Sequence, residues 1–132
     1  MHGADVNSVN SNNWYPIHFA CKNGDDSLEL VKWLALHNVN VNCINNCGHQ
    51  PIHIACAAKY RALELVKWFL DYGVNYNSDY YGQYPIHIAC INNAFELVKI
   101  LIAYGADSNV KTKYGKLLPS DLTKNEEILW LL

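Results

Sequence analysis

Apolar positions recur at helical spacing in three stretches of the chain. Leu28-Glu29-Leu30-Val31-Lys32-Trp33-Leu34, Leu63-Glu64-Leu65-Val66-Lys67-Trp68-Phe69 and Phe95-Glu96-Leu97-Val98-Lys99-Ile100-Leu101 set leucines and valines on one face and Glu and Lys on the wet side. Each predicts an amphipathic helix. Upstream of each, a shorter apolar run opens on a proline: Pro16-Ile17-His18-Phe19-Ala20-Cys21, Pro51-Ile52-His53-Ile54-Ala55-Cys56 and Pro85-Ile86-His87-Ile88-Ala89-Cys90. Proline in the first helical turn gives up only an N–H that has no partner there. Each run therefore predicts a first helix whose small residues let a neighbour approach closely. Gly73 and Gly105 follow the second helices, where φ must turn positive, and Asn38 takes that place in the first copy. The polar, turn-rich stretch from Gly73 to Gly82 predicts a hairpin-like loop.

The pattern is a repeat. Pro16, Pro51, Pro85 and a decayed copy at Pro119-Ser120-Asp121-Leu122 lie 35, 34 and 34 residues apart. A third block closes each unit in phase: Gly3-Ala4-Asp5-Val6-Asn7, Asn38-Val39-Asn40-Val41-Asn42, Gly73-Val74-Asn75-Tyr76-Asn77 and Gly105-Ala106-Asp107-Ser108-Asn109. A unit of this size cannot bury its own apolar face, so neighbours must stack.

On these residues the chain resembles the ankyrin-repeat family from residue 3 to its C-terminus. The family's T-P-L-H-x-A signature reads Tyr15-Pro16-Ile17-His18-Phe19-Ala20, Gln50-Pro51-Ile52-His53-Ile54-Ala55 and Tyr84-Pro85-Ile86-His87-Ile88-Ala89, and the G-A-D-V-N signature is intact at Gly3 to Asn7. The resemblance implies an all-α solenoid of stacked helix-turn-helix units joined by hairpin-like loops. It implies a single domain over 1–132: a partial hairpin at 1–7, repeats at 8–42, 43–77 and 78–109, and a shortened capping repeat at 110–132. The opening block reads as the tail of a preceding unit, so the chain is expected to come from a longer array. Tyr15, Gln50 and Tyr84 replace the signature threonine, which in the family bonds the histidine locally, so these helix starts must be held otherwise. Extra residues fall near Asp25-Asp26, Tyr60-Arg61 and Leu117-Leu118, and Asn13 replaces a loop glycine.

Composition narrows the classes. With 132 residues, 51% apolar and 17% charged, the chain can bury a core and is not a disordered segment. A net charge of -2 leaves no electrostatic footprint for nucleic acid. Apolar runs are far short of the ~20 residues that span a bilayer, and no apolar segment of a secretory signal follows Met1. Five spread cysteines fit a reduced, intracellular protein, in cytoplasm or nucleus.

His18, His53 and His87 share one repeat position, and Cys21, Cys56 and Cys90 another. Stacked helices lie about 8–10 Å apart, whereas ligands of one zinc lie within about 2.0–2.3 Å of it and disulfide Cα atoms within about 7 Å. These columns are read as structural. Cys43, Cys47 and His49 cluster on one loop but lack a nearby fourth ligand, so no metal and no cofactor is expected; Cys47 should be an exposed thiol. No nucleophile elbow, phosphate loop or paired-carboxylate constellation is present, and Asp25-Asp26 and Glu126-Glu127 sit at expected helix starts. Catalysis is not expected.

The resemblance places binding residues on the hairpin tips and the concave face of the first helices. Carried over one by one, these are Ser11, Asn12, Trp14, Lys22 and Asn23; Asn46, Cys47, His49, Ala57 and Ala58; Tyr80, Tyr81, Gln83, Ile91 and Asn92; and Lys113, Tyr114 and Lys116. Trp14, Tyr80, Tyr81 and Tyr114 are divided evenly between binding and packing, while Tyr15 and Tyr84 are read as filling the space of the lost threonine. The function implied is a non-catalytic interaction module, monomeric, that takes a protein or peptide. Heavy asparagine use and drifting repeats also suggest a host-directed factor of a virus or intracellular parasite. A different reading makes the chain a substrate of ankyrin-directed asparaginyl hydroxylation at Asn7, Asn42, Asn77 or Asn109, with the acid-Val-Asn form intact only at Asn7. Finally, Trp130 aligns with Lys32, Lys67 and Lys99 and is expected to be at least partly exposed.

Overall fold

A computed structural model of the chain describes residues 5–22, 27–58 and 61–132. Among these residues there is no strand, and the elements come in antiparallel-style pairs: α1 Pro16–Lys22 with α2 Ser27–Leu36, α3 Pro51–Cys56 with α4 Ala62–Tyr72, and α5 Pro85–Ile91 with α6 Phe95–Ala103. A 3-10 turn at Pro119–Leu122 and α7 Glu126–Leu131 follow. First helices pack on first helices, second on second, and the last two elements cover α5 and α6. The decayed copy at Pro119 thus keeps the place of a first helix but only one tight turn of it. The residues at Asp25-Asp26 and Tyr60 lie outside the described residues.

The core is one continuous cluster running through every pair. Ile17, Ile52 and Ile86 fill the signature position, and Val31, Leu34, Leu65, Val66, Phe69, Leu97, Val98 and Leu101 supply the buried stripe of the second helices. Cys21, Cys56 and Cys90 are buried beside Ala20, Ala55 and Ala89, so these small side chains set how closely first helices approach. Gly73, Gly105 and Asn38 end or follow the second helices with φ of 90°, 95° and 63°, as their positions predict.

The replaced threonines leave the helix starts intact because the histidines hold them. The backbone N–H of Tyr15, Gln50 and Tyr84 donates to Nδ1 of His18, His53 and His87 at 3.0, 3.0 and 2.9 Å. An imidazole that accepts at Nδ1 carries its proton on Nε2. Nε2 then donates across to the following unit, to the carbonyls of His49, Gln83 and Val110 at 2.9, 3.2 and 3.0 Å. One ring therefore fixes its own helix start and ties it to the next loop. In the final copy Asp121 takes over the first duty, accepting from Leu118 N at 2.8 Å. Gln50 adds a bridge of its own: it is buried, its Nε2 donates to Asn42 Oδ1 and to Asn75 O, each at 3.2 Å, and its Oε1 accepts from Asn77 N at 2.8 Å.

Two tip glycines have a second reason to be glycine. Gly48 and Gly82 have φ of 76° and 75°, and a Cβ on Gly82 would land 2.3 Å from the Lys113 nitrogen. Gly73 also has positive φ but opens on free space. Both Gly73→Ala and Gly82→Ala should cost about 1–2 kcal/mol for the left-handed backbone, with Gly82→Ala the costlier because the next tip must move. Urea melts of the two variants check this; equal losses would mean that the tips do not press on one another.

Candidate binding surface

Four loops form a row along one edge of the stack: residues 10–13, 45–48, 79–82 and 112–116. One backbone hydrogen bond joins each to the next. Asn46 N donates to Asn12 O at 3.0 Å, Tyr80 N to Cys47 O at 3.0 Å and Lys113 N to Tyr81 O at 2.9 Å. Each loop is shaped by one short oxygen-bearing side chain. Asn10 Oδ1 accepts from the N–H of Asn12 and Trp14, Asn45 Oδ1 from those of Cys47 and His49, and Asp79 Oδ1 from those of Tyr81 and Gln83. In the last loop Thr112 Oγ1 accepts from Leu117 N at 3.0 Å and donates to Tyr114 O at 2.7 Å. The loops are therefore hydrogen-bonded frames, and side chains at their tips project from fixed backbone.

Of the residues expected to bind, Ser11, Asn12, Lys22, Asn46, Cys47, Tyr80, Tyr81, Ile91, Asn92, Lys113, Tyr114 and Lys116 are exposed. Asn23 lies outside the described residues. Ala57 is exposed and Ala58 half-buried at the far end of α3. The structure gathers them into two groups. At the N-terminal end Trp14 is half-buried, its ring 5.1 Å from that of Phe19, with Lys22 Nζ 5.6 Å above it. At the other end the Tyr81 and Tyr114 rings lie 6.4 Å apart and Lys113 Nζ sits 5.5 Å from the Tyr114 ring. The Tyr80 ring lies against Gly48 of the preceding tip, and Tyr80, Tyr81 and Tyr114 are 57%, 52% and 64% exposed.

His49 and Gln83 are drawn into the stack. His49 Nε2 donates to Asp79 Oδ2 at 3.0 Å, and the Asp79 side chain is fully buried. Both are half-buried, and both backbones serve neighbouring histidines as acceptors. The Asp79 carboxylate thus takes three hydrogen bonds, two from its own loop and one from the preceding tip. The equivalent Asn45 has no partner for its buried Nδ2, which follows from Trp14 standing where the next pair has His49. Sequence reasoning missed Phe19, which is exposed on α1 beside Trp14. It occupies the variable position of the signature, and the larger ring there was the available signal.

Burial sets the chemistry of the remaining groups. It lowers the pKa of His18, His53 and His87, to about 4 for His53. It raises that of Cys43 to about 12 and Cys90 to about 11, which keeps both as inert thiols. Cys47 is exposed. Among the described residues no three His, Cys, Asp or Glu side chains converge to hold a metal ion. Of the asparagines considered for hydroxylation, Asn7, Asn77 and Asn109 are exposed and Asn42 is half-buried against Gln50.

Stacked helix pairs tied by loop-to-loop hydrogen bonds define an α-solenoid. The family model for ankyrin repeats, in three copies, matches residues 1–61 and 17–112, and the chain belongs to the ankyrin-repeat family. Ankyrin repeats are generally protein–protein interaction modules and are typically non-catalytic. A search of curated proteins returns no match. No helix among the described residues is long and apolar enough to cross a membrane.

Proposed function

We propose that this chain holds a protein or peptide partner on its hairpin tips and concave face, inside a cell and without performing a reaction on it. The observation that carries this reading is the set of three exposed tyrosines on hydrogen-bonded loops at the C-terminal half of the tip row. Tyrosine offers large contact area with few rotatable bonds, and it is enriched at binding hot spots. A frame already held by internal bonds loses little freedom when a partner docks.

The test uses Tyr80→Ala combined with Tyr81→Ala. The ladder bonds at these positions come from the backbone, so the melting temperature should hardly change. Affinity for a partner captured from cell lysate and then purified should fall by more than about 1.4 kcal/mol, a factor of ten. A large loss of melting temperature would show that the rings pack instead of recognising.

A second reading has a specific observation behind it. Asn7 stands exposed in the intact acid-Val-Asn setting, its backbone N–H held by Asp5 Oδ1 at 2.9 Å. Hydroxylation there would be seen as one added oxygen on the Asn7 peptide by mass spectrometry of protein from its native cells; an unmodified peptide counts against it.

A further inference from the structure

We propose that the C-terminal end of the tip row takes an acidic, apolar-anchored segment of a partner protein. Its carboxylates would lie against Lys111, Lys113 and Lys116, and its apolar side chain against Tyr81 and Tyr114. The inference rests on the reading of the tips as a protein-binding surface and adds the chemistry of the partner.

Charge is the first argument. Lys111, Lys113 and Lys116 are all exposed on one loop. The ion pairs among the described residues involve Lys32, Arg61, Lys67 and His49, and none of these three lysines. The acidic residue built into the adjacent tip, Asp79, is buried and spent on His49 and its own loop. The chain as a whole is slightly acidic, at -2, so this loop is a positive spot on a molecule of the opposite sign. A carboxylate-rich segment is steered to such a spot and held there.

Geometry is the second. Lys113 is anchored by its backbone bond to Tyr81 O, and its Cβ packs where Gly82 leaves room. Thr112 Oγ1 holds the backbone at Tyr114 and beyond it, through the Tyr114 carbonyl and Leu117 N. The backbone that carries Tyr81, Lys113 and Tyr114 is therefore set before any partner arrives, with Lys113 Nζ 5.5 Å from the Tyr114 ring. The Tyr81 and Tyr114 rings are inclined at 58°, which makes a shallow notch in place of a flat stacking platform. A single-stranded nucleic acid also uses aromatic and basic groups, but it draws its affinity from neutralising many phosphates. Three lysines on a chain of net charge -2 do not supply that.

The probe is a synthetic peptide in which Glu alternates with Phe, fluorescently labelled, with a Gln-for-Glu copy as the neutral control. At low salt the Glu peptide should bind about tenfold more tightly than the Gln copy, the sum of three exposed charge pairs. The gap should shrink as salt rises. Lys111→Ala, Lys113→Ala and Lys116→Ala together should abolish it, while Lys99→Ala, which removes one exposed charge from the outer face, should leave it unchanged. Tyr81→Ala with Tyr114→Ala should weaken both peptides. Equal affinity for the two peptides overturns the inference; if Tyr80→Ala with Tyr81→Ala still weakens partner binding, the protein-binding reading survives it. Displacement of the Glu peptide by oligouridylate at equal concentration overturns both.

Discussion

Acidification from pH 7 to pH 5 should remove a large part of the stability of this array. The cause is the column of His18, His53 and His87. Each ring must be neutral to work, because Nδ1 accepts from a helix start while Nε2 donates to the next loop. Burial lowers all three pKa values, with His53 near 4. In the unfolded chain a histidine titrates near 6.5. Above about pH 6.5 both states are neutral at these positions and stability is complete. Below it the unfolded chain takes up protons that the folded one refuses, so stability falls as pH drops toward the folded value. For His53, whose folded value is about 4, the part of that loss reached by pH 5 amounts to about 2 kcal/mol. His18 and His87 add losses of the same sign. Against a total of about 5–15 kcal/mol for a domain, the His53 loss alone is a sizeable fraction. Urea melts at pH 7.5, 6, 5.5 and 5 measure the slope. Unfolded carboxylates are still largely ionised in that window, so the histidines dominate it. His53→Gln should lower stability at pH 7.5 and flatten the slope by up to one proton. A wild-type melt that does not change between pH 7.5 and pH 5 would mean these rings are not held neutral.

The histidine network also shows which features local chemistry makes legible. The helix starts at Pro16, Pro51 and Pro85 were readable because proline's ring restricts the backbone wherever it stands. Asn38, Gly73 and Gly105 were readable because positive φ selects residue type directly. Trp130 was readable by register: it follows three lysines in its column and is 89% exposed. The loop frames were not read. Asn10, Asn45, Asp79 and Thr112 recur with the repeat, and all carry a short side-chain oxygen, but their role depends on turns whose N–H groups close on them. The His49–Asp79 bond and the Gln50 bridge lie further from sequence. They join residues 30 and 27 positions apart and exist only once the units are stacked. This is why His49 and Gln83 read as surface residues by position, while their neighbours draw them inward. For the tyrosines and lysines, residue type and column gave their place on the tips, but not that Tyr81, Lys113 and Tyr114 come from two loops into one patch.

Truncation after Leu118 should abolish cooperative folding at room temperature. The removed segment is what covers α5 and α6. Ile128 is fully buried, and Leu122, Leu131 and Leu132 pack on the same cluster. Without them the face of α6 that packs on α7 would meet water. Each buried side chain of this size contributes about 1.5–3 kcal/mol, so losing Ile128 and baring one face of α6 removes an amount comparable with the whole stability of the domain. Two polar ties go as well: Asn125 caps α7 by accepting from Glu127 N and Ile128 N, and Thr123 Oγ1 donates to Asn93 Oδ1 at 2.7 Å. The truncated chain still keeps Val110, the acceptor for His87, so the effect isolates packing from the histidine column. Point variants on one helix sharpen the test. Ile128→Ala should cost about 2–5 kcal/mol, the range for opening a cavity at a fully buried aliphatic position. Trp130→Ala, two residues on and facing solvent, should change stability by no more than about 0.5 kcal/mol. Urea melts read both. Similar losses for the two variants, or a truncated chain that melts like the full one, would show that α7 does not seal the stack.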